Sequence, residues 1–370
     1  MNSKKIVFLN YIPSPYRVDF FNELNKFCDL TVIFYYPGMP NTPWQDFEKK
    51  REFKHVFLFE KASKLRGIIN LLKLLKRHKQ DTIVIGGYAM AAEIIAIFFL
   101  KFFKINFILN SDGGFVTHGF FKTILKKRLI QSATYWLSTG VNTTKTLLYY
   151  GAKTSNIFEY HFSSIRKNEV LSDVLNDSTI TKLKNELKLE TNIFYIVFVG
   201  QLVQRKGVDV LLKSLAFIED KKIEIIIIGA GEEENSLKEY LNNQKDSNKV
   251  HFLGKLSKDL VLKYLKVSDF FVFPSREDIW GLVLNEAIAN GLPIISTSRV
   301  GSAYSLISPS KNGFIIDADN PIILAETINR LVLKDLILMK KNSIAIAQKY
   351  TIEQMVQDHL LFFNTLKSNI

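Results

Sequence analysis

The sequence predicts an α/β protein of two doubly wound domains that face each other across a cleft. Two observations carry this prediction. Along the 370 residues, short apolar runs alternate with segments of helical spacing, a pattern typical of parallel sheets covered by helices on both faces. A polar stretch without any such run separates them into two sets, and a chain of this length suits two domains better than one core.

Strands are predicted where short runs rich in β-branched and aromatic residues occur. The first set is KIVFLNY, LTVIFYY, HVFLFE, TIVIGG, NFILNS, TYWLST and NIFEYHF; the second is IFYIVFVG, IEIIIIG, VHFLG, FFVFPS, PIISTS and GFIID. The predicted domains are therefore residues 1–165 and 191–351, with a linker at 166–190. Thr351 is a plausible cap for an amphipathic helix over 352–370, which we expect to pack back on the first domain.

The most apolar region, Ile94 to Leu100, is bounded by Glu93 and Lys101. It falls short of the roughly 20 residues that a spanning helix needs, so it is predicted to be a buried helix. The run Ile6 to Leu9 is too short for a signal-peptide core. With a single cysteine in the chain, which favours a reducing compartment, the expected location is the cytoplasm.

Positive charge is concentrated in the first part of the chain. The net charge is +13, and residues 1–130 hold 21 lysines and arginines against 10 acids. Basic and apolar residues interleave in KLRGIINLLKLLKRHK and GFFKTILKKRLI. Two interpretations stay open: an ordinary solvated surface, or helices that lie against anionic lipid on the inner face of a membrane. No motif supports nucleic-acid binding.

The stretch FVGQLVQRKGVDVLLKSL places a cationic loop after a predicted strand that ends at Gly200. Arg205 and Lys206 precede a helix predicted to begin near Gly207. Backbone N–H groups at a helix start, together with two cations, make a suitable cradle for a diphosphate. Without its position at the carboxyl end of a parallel strand, the same pair would be read as surface charge.

The stretch SREDIWGLVLNEAIANGLPII carries two acids eight positions apart, Asp278 and Glu286. A helix is predicted to begin around Trp280, so Asp278 lies on the loop before it and Glu286 about two turns inside. Acids placed in this way could hold the hydroxyls of one sugar-containing ligand. The alternative is an N-terminal helix charge together with a partly buried structural acid.

Two other patterns are interpreted as turns. In IIIIGAGEEENSL, Gly229 and Gly231 resemble a dinucleotide-binding loop, but the third glycine position holds Glu234, and the pattern then predicts a tight strand-to-helix turn. Asp317 and Asp319 of IIDADN have a spacing that can bind a metal, yet they follow the last predicted strand. No His/Cys cluster with metal-ligand spacing is present in the sequence.

Taken together, the second-half motifs resemble a known family. FVGQLVQRKGVDVLLKSL, VHFLGKL, PSREDIWGLVLNEAIANGLPII and VGSAYSLISPSKNGFIIDADN are similar, in order, to the landmarks of family 4 glycosyltransferases. NYIPSPYRVDFFNEL is similar to the first strand and loop of a bacterial subgroup that builds surface polysaccharides. The resemblance implies the GT-B fold, with two Rossmann-like domains, and no metal or other cofactor.

The activity implied by this resemblance is a retaining transfer. A hexose or N-acetylhexosamine would move from a nucleotide-diphosphate sugar to a saccharide or polyprenyl-linked saccharide acceptor. Carried over by position, Glu286 contacts the donor ribose and Asp278 the sugar. Lys206, assisted by Arg205 and the loop that starts at Gly200, binds the diphosphate.

Three departures from the family pattern affect this assignment. The first acid is Asp278 rather than glutamate, with Glu277 beside it, which leaves the sugar contact open by one residue. Gln201 stands where many relatives have arginine, and Ser305 stands where glutamate is frequent. Because Gln201 carries no charge, Arg205 would have to supply more of the positive charge that binds the diphosphate.

The acceptor is expected at loops of the first domain. Ser14, Tyr16 and Arg17 follow the first predicted strand, and NSDGGFVTHGFF follows another. The resemblance implies that the second loop lines the acceptor side, where Asp112 or His118 could orient or deprotonate an acceptor hydroxyl. Two alternatives stay open: a sugar-nucleotide epimerase or hydrolase on the same fold, and a non-catalytic membrane-associated module.

Overall fold

The computed structural model describes residues 4–38, 50–59, 63–116, 119–219, 222–244, 247–334 and 336–366. The chain divides into two compact units. The first unit comprises Met1–Ser164 and Thr351–Ile370, and the second comprises Ile165–Tyr350. None of the helices in the described residues is long and apolar enough to cross a membrane.

Each predicted run of the first set forms a strand. The strands are β1 (Lys5–Asn10), β2 (Asp29–Phe34), β3 (Lys54–Phe57), β4 (Thr82–Ile85), β5 (Ile108–Ser111), β6 (Tyr135–Ser138) and β7 (Ile157–Glu159). Within the described residues they make one sheet in the order β3-β2-β1-β4-β5-β6-β7, with parallel pairing throughout. The runs are continuously apolar because helices cover both faces of the sheet.

Helices cover the two faces of this sheet. They are α1 (Pro15–Leu24), α2 (Lys64–Arg77), α3 (Ala91–Phe102), α4 (Phe120–Ile130), α5 (Val141–Tyr149) and a C-terminal helix (Ile352–Thr365). Helices α2 to α5 share one core with Val7 and Leu9 of β1. Phe8 points to the other face, since strand side chains alternate, and its ring lies 6.1 Å from Phe20 of α1 and 6.4 Å from Phe363 of the C-terminal helix.

Helix α3 corrects one prediction. The apolar region Ile94 to Leu100 was expected to be a buried helix, but only one side of it is buried. Ile97 and Leu100 are fully buried, whereas Phe98 is 39% and Phe102 is 79% exposed. An unbroken apolar run has no polar positions to mark its outer side, so its periodicity could not distinguish the two faces.

The second set of runs also forms strands, and they make a second parallel sheet. The strands are β8 (Phe194–Val199), β9 (Ile223–Ile228), β10 (Val250–Phe252), β11 (Phe270–Phe273), β12 (Ile294–Thr297) and β13 (Gly313–Ile316). In the described part of the chain the order is β10-β9-β8-β11-β12-β13. The accompanying helices are α6 (Asp177–Glu186), α7 (Val208–Ser214), α8 (Glu234–Asn242), α9 (Lys258–Val267), α10 (Leu282–Ala289), α11 (Ala303–Leu306), α12 (Pro321–Val332) and α13 (Leu336–Ala347).

The segment 166–190 belongs to the second unit. It contains α6, and its Leu171 N–H donates to the carbonyl oxygen of Ala289, at the end of α10, over 2.9 Å. Thr351 caps the C-terminal helix, accepting from the Gln354 N–H at 3.2 Å, as its sequence predicts.

Strand order reverses beside the first strand of each sheet. In the first unit β1 lies between β2 and β4, and in the second β8 lies between β9 and β11. Loops at the carboxyl ends of such neighbouring strands diverge to opposite faces and leave a crevice, where ligands of open α/β sheets bind. The candidate residues of the second unit follow β8 and β11, and those of the first unit follow β1 and β5.

Candidate functional site

In the second unit, the loops after β8 and β11 are joined by backbone contacts. The carbonyl oxygen of Arg205 accepts from the Arg276 N–H at 2.7 Å and from the Ser275 hydroxyl at 2.8 Å. Gly207 makes this close approach possible: its φ is +69°, and a Cβ there would lie 2.2 Å from the carbonyl oxygen of Pro274. Any side chain at this position would push the two loops apart.

Lys206 and Asp278, which lie far apart in the sequence, form an ion pair at this junction. Lys206 is only 8% exposed, and its Nζ donates to Asp278 Oδ2 while lying 4.7 Å from the centroid of the Phe273 ring. Burial lowers the pKa of Lys206, and the Asp278 carboxylate opposes that effect. A desolvated ammonium with one carboxylate partner is well placed to exchange that partner for a phosphate.

The backbone of Asp278 is fixed by a short parallel bridge to Val300. The Asp278 N–H donates to the Arg299 carbonyl oxygen at 3.1 Å, and its own carbonyl oxygen accepts from the Gly301 N–H at 2.9 Å. The neighbouring Glu277 is exposed. Of the two adjacent acids, Asp278 is therefore the one whose carboxylate lies at the cationic loop.

Arg205 is the second cation of this loop, and half of its side chain is exposed. One terminal nitrogen lies 3.7 Å from Asp278 Oδ2 and 3.5 Å from the Glu277 carbonyl oxygen. The other donates to Gln201 Oε1 at 3.5 Å. Gln201 thus supports the guanidinium from the side, although it brings no charge of its own. The Gly200 N–H continues the strand pairing, donating to the Ile228 carbonyl oxygen at 3.0 Å.

Helix α10 begins at Leu282, two residues later than predicted, and Glu286 lies in its second turn. The Glu286 residue is partly exposed, but the surrounding protein raises the pKa of its carboxyl to about 7 through burial. Lys258 lowers this pKa and Glu169 raises it further, and these two side chains are themselves an ion pair. An accessible carboxylate in so dry an environment is a strong hydrogen-bond acceptor.

The turn at Gly229 and Gly231 has a structural role. A Cβ at Gly229, whose φ is +144°, would lie 1.8 Å from the Gly200 carbonyl oxygen, and one at Gly231 would lie 2.2 Å from that of Leu202. The Leu202 N–H donates to the Ala230 carbonyl oxygen at 3.1 Å. The two glycines therefore let this turn pack directly against the loop that carries Arg205 and Lys206.

Arg276 connects three loops, although nothing in the sequence pattern distinguishes it from a surface arginine. Its two terminal nitrogens donate to the two carboxylate oxygens of Asp209 at 2.8 and 2.9 Å. One of them also donates to the Gln204 carbonyl oxygen at 2.6 Å, and Nε donates to Asp319. Asp319, which has a metal-type spacing from Asp317 in the sequence, therefore accepts a hydrogen bond from Arg276. Among the described residues, no three His, Cys, Asp or Glu side chains are grouped to hold a metal ion.

The first unit brings together residues that follow β1 and β5. The Arg17 guanidinium, 2% exposed, forms an ion pair with Asp112, whose other oxygen accepts from Asn110 Nδ2 at 3.0 Å and from the Tyr160 hydroxyl at 3.5 Å. Burial alone would lower the pKa of Arg17, but Asp112, together with Tyr16 and Tyr160, outweighs burial and raises it. Asp112 keeps 35% of its side chain exposed, so one acid remains open to a ligand.

The other acceptor-side candidates have separate surroundings. Ser14 is the buried N-cap residue of α1. The Tyr16 ring packs edge-on against Phe162 at 5.9 Å, and the Arg17 guanidinium lies 5.3 Å from the same Phe162 ring. Phe162 had no signal in the sequence that distinguished it from a core residue. His118 lies outside the described residues.

Comparisons with known proteins agree with these features. Residues 179–350 match the family model of the glycosyl transferases group 1. An uncharacterized glycosyltransferase of Methanocaldococcus jannaschii is 27% identical over 321 residues, which cover 80% of this chain and 75% of that protein. The capsular polysaccharide biosynthesis glycosyltransferase CapM of Staphylococcus aureus is 32% identical over 149 residues, 39% of this chain and 38% of CapM.

A solved structure extends the likeness to the whole fold. HepE of Anabaena, crystallised with UDP, has a TM-score of 0.78 at 17% identity, covering 98% of this chain and 100% of HepE. Its complex with UDP-glucose gives a TM-score of 0.74. At this identity the likeness establishes the fold, the two Rossmann-like domains of the GT-B type. Residues 179–350 are a glycosyl transferases group 1 domain, and the chain is a glycosyltransferase.

Proposed function

We propose that this glycosyltransferase moves a hexose or N-acetylhexosamine, with retention of configuration, from a nucleotide-diphosphate sugar to a saccharide acceptor. One observation carries the proposal: Arg205 and Lys206 meet Asp278 at the crevice beside β8. Two cations and one acid at that place match a donor with an anionic diphosphate and a hydroxylated sugar. The resemblance of the motifs to family 4 glycosyltransferases supports retention.

In this proposal each donor group has its own partner. The diphosphate binds Lys206 and Arg205, on the loop that begins at Gly200. The sugar hydroxyls bind Asp278, which is released from Lys206 when the phosphate takes its place. The ribose hydroxyls donate to Glu286, and the exposed Glu277 has no contact with the donor.

The chemistry requires that the bond between the anomeric carbon and the diphosphate oxygen breaks as charge accumulates on the diphosphate. Lys206 and Arg205 stabilise that charge in a partly dry site, where electrostatic effects are larger than in water. The acceptor oxygen bonds to the same face of the anomeric carbon, and its proton passes to the departing phosphate oxygen. We propose that the two cations suffice without a metal; activity that persists in excess EDTA is the expected result.

The donor we propose to test first is UDP-glucose. The support is that HepE, which shares the fold, was crystallised with UDP and with UDP-glucose. The acceptor is proposed to bind in the first unit, where Asp112 orients a hydroxyl and Ser14, Tyr16 and Arg17 line the loop after β1. The name of the relative CapM supports a saccharide or polyprenyl-linked saccharide made for a surface polysaccharide.

A lipid-linked acceptor would place the enzyme at the inner face of a membrane. We propose that it is a cytoplasmic protein held there peripherally, by attraction between its basic first unit and anionic lipid. The support is the surplus of positive charge in residues 1–130. Attraction of this kind weakens as salt screens it.

The proposal is tested by binding and by product analysis. A thermal-shift screen of nucleotide sugars, followed by calorimetry, should show that one donor raises the melting temperature of the native chain but not that of Lys206→Ala. Incubation with that donor alone should then leave it intact, and added acceptor should yield a glycoside of retained configuration. Conversion of the donor without any acceptor would show an epimerase or hydrolase instead. Absence of binding to every nucleotide sugar would favour a non-catalytic module.

A further inference from the structure

Helix α3 exposes an apolar stripe on its outer side. The exposed apolar positions of the helix follow helical spacing and carry Ala91, Ile95, Phe98 and Phe102. Phe103, directly after the helix, is 50% exposed. The opposite side is occupied by Ala96, Ile97 and Leu100, which are fully buried in the core of the first unit. The exposed stripe is therefore the outer surface of a helix whose inner side is packed in the core of the first unit.

The neighbouring helices add cations to both sides of this stripe. Helix α3 packs between α2 and α4, and all three bury their inner sides in the same core. Their exposed basic residues are Lys64, Arg66, Lys73, Lys76 and Arg77 on α2, Lys101 on α3, and Lys122, Lys127 and Arg128 on α4. The sequence of the three helices contains one acid, Glu93, and it is 4% exposed.

Aromatic side chains also stand at the start of α4. Phe120 is 74% and Phe121 is 85% exposed, and their rings contact each other at 5.6 Å. Large apolar groups in contact with water are unfavourable in proportion to their area, so a cluster of them on one face indicates an interaction surface. We call the exposed side chains of α2, α3 and α4 the outer helix face.

We propose that the outer helix face binds directly to an anionic lipid bilayer, with the α3 stripe and the phenylalanines of α4 entering the interface. The cations of α2 and α4 then lie at the level of the lipid head groups. This inference rests on the proposed function only in that a lipid-linked acceptor gives such a surface its use. It goes further by naming the helices and side chains that make the contact.

Charge and shape favour lipid over other occupants. A second copy of the chain would bring its own cations against these, and like charges in contact oppose association. Duplex nucleic acid would satisfy the cations but would leave the α3 stripe in water, since its phosphates make no use of apolar surface. A bilayer satisfies both parts, because its head groups carry the negative charge and its acyl region accepts phenylalanine.

The test compares vesicles of phosphatidylcholine alone with vesicles that also contain phosphatidylglycerol. The full chain should cosediment with the anionic vesicles and be released as salt rises. The triple variant Lys122→Gln, Lys127→Gln, Arg128→Gln should weaken binding about 100-fold, since each cation near an anionic surface contributes roughly 5-fold. Phe98→Ser with Phe102→Ser should weaken it roughly 10-fold or more.

Matched variants on the second unit control for charge and hydrophobicity in general. Lys182→Gln, Lys341→Gln, Lys349→Gln removes three exposed cations there, and Leu333→Ser with Ile337→Ser removes two exposed apolar groups. Both should bind vesicles like the native chain. Equal losses in the control and outer-face variants would overturn the proposal.

A fluorescence measurement separates insertion from simple adsorption. An environment-sensitive dye attached at Phe102→Cys should shift its emission to the blue with anionic vesicles, whereas a dye at Ile337→Cys should not. The native Cys28 is buried and can be replaced by Ser. No shift at position 102, or a change of oligomeric state in Phe98→Ser with Phe102→Ser, would contradict lipid insertion. Donor binding measured without lipid should be unchanged in all these variants, so loss of vesicle binding alone would leave the proposed transferase activity intact.

Discussion

Lys206 and Asp278 are hydrogen-bonded to each other although they lie 72 positions apart in the sequence. The ammonium is buried, and an unpaired buried charge is costly. Asp278 therefore favours the charged form of Lys206 and holds its side chain in place. In the proposed mechanism, exchange of the carboxylate for a phosphate retains one anionic partner for Lys206 and frees Asp278 for the sugar.

Replacing Lys206 tests this arrangement. Lys206→Ala should lower kcat by about 100- to 1000-fold, the range seen when one preorganised charge or donor is removed from a transition state. Steady-state kinetics with the donor found in the binding screen measures the effect. The matched control is Lys238→Ala, which removes a lysine paired with Glu234 on the surface and should change kcat by less than about 2-fold. Near-native turnover of Lys206→Ala would remove its role at the diphosphate.

If Glu286 binds the donor ribose as proposed, its raised pKa should make donor binding pH-dependent. Ribose hydroxyls bind best to the ionised carboxylate, and with a pKa of about 7 only about a tenth of the chains are ionised at pH 6. Donor affinity should therefore increase by up to about 10-fold between pH 6 and pH 8. Calorimetry with an intact sugar nucleotide measures this, and Glu286→Gln should bind more weakly with a flat profile. An equal slope in native chain and variant would assign the pH dependence to another group.

The Glu286 carboxyl should make the folded chain less stable as pH rises, whereas it should make donor binding stronger. Its pKa in the folded chain lies above the ordinary value of 4.5, so folding favours the protonated form. The favourable contribution is complete below about pH 4.5 and is lost as pH rises through 7. Glu286→Gln cannot ionise, and it should therefore equal the native chain near pH 5 and exceed it by about 1–2 kcal/mol at pH 8. Thermal unfolding at both pH values measures the difference; a variant less stable at pH 8 would contradict it.

The sequence predicted more of the fold than of the candidate site. Every strand in the described residues was visible in the sequence, because most of them are buried on both faces and leave short continuous apolar runs. The loop positions of Lys206 and Asp278, and the position of Glu286 inside a helix, followed from the same pattern. The bond between Lys206 and Asp278, and the environment that raises the pKa of Glu286, depend on side chains from distant segments and were not visible. The outer stripe of α3 was missed for the opposite reason, since a wholly apolar run marks no exposed face.

Arg276 shows what such distant contacts do for the site. It bonds to Asp209 with both terminal nitrogens and to the Gln204 carbonyl oxygen, two residues before Lys206. Arg276→Lys keeps the charge but loses the paired geometry, and we expect it to cost roughly 1–3 kcal/mol of stability and to raise KM for the donor more than it lowers kcat. Denaturant unfolding and kinetics measure these effects. The control Lys263→Ala, from an exposed pair with Glu186, should change stability by under about 1 kcal/mol.

Variants of the Arg17–Asp112 ion pair should separate a role of Asp112 in acceptor binding from its role in stability. Asp112→Asn leaves the buried guanidinium of Arg17 without its counter-charge, which costs roughly 3–5 kcal/mol for a fully buried pair. Since a third of the Asp112 side chain is exposed, we expect about 1–3 kcal/mol. Arg17→Met combined with Asp112→Asn should recover much of this loss, because no buried charge then remains.

Activity should respond differently to the same variants. If Asp112 orients the acceptor, both Asp112→Asn and the double variant should lose turnover, because restored stability does not restore the carboxylate. Donor binding by calorimetry should stay native in both, since the residues proposed to bind the donor lie in the second unit. A double variant that regains stability and turnover together would show that Asp112 serves only to neutralise Arg17, and the acceptor would then have to be oriented by another group of the first unit.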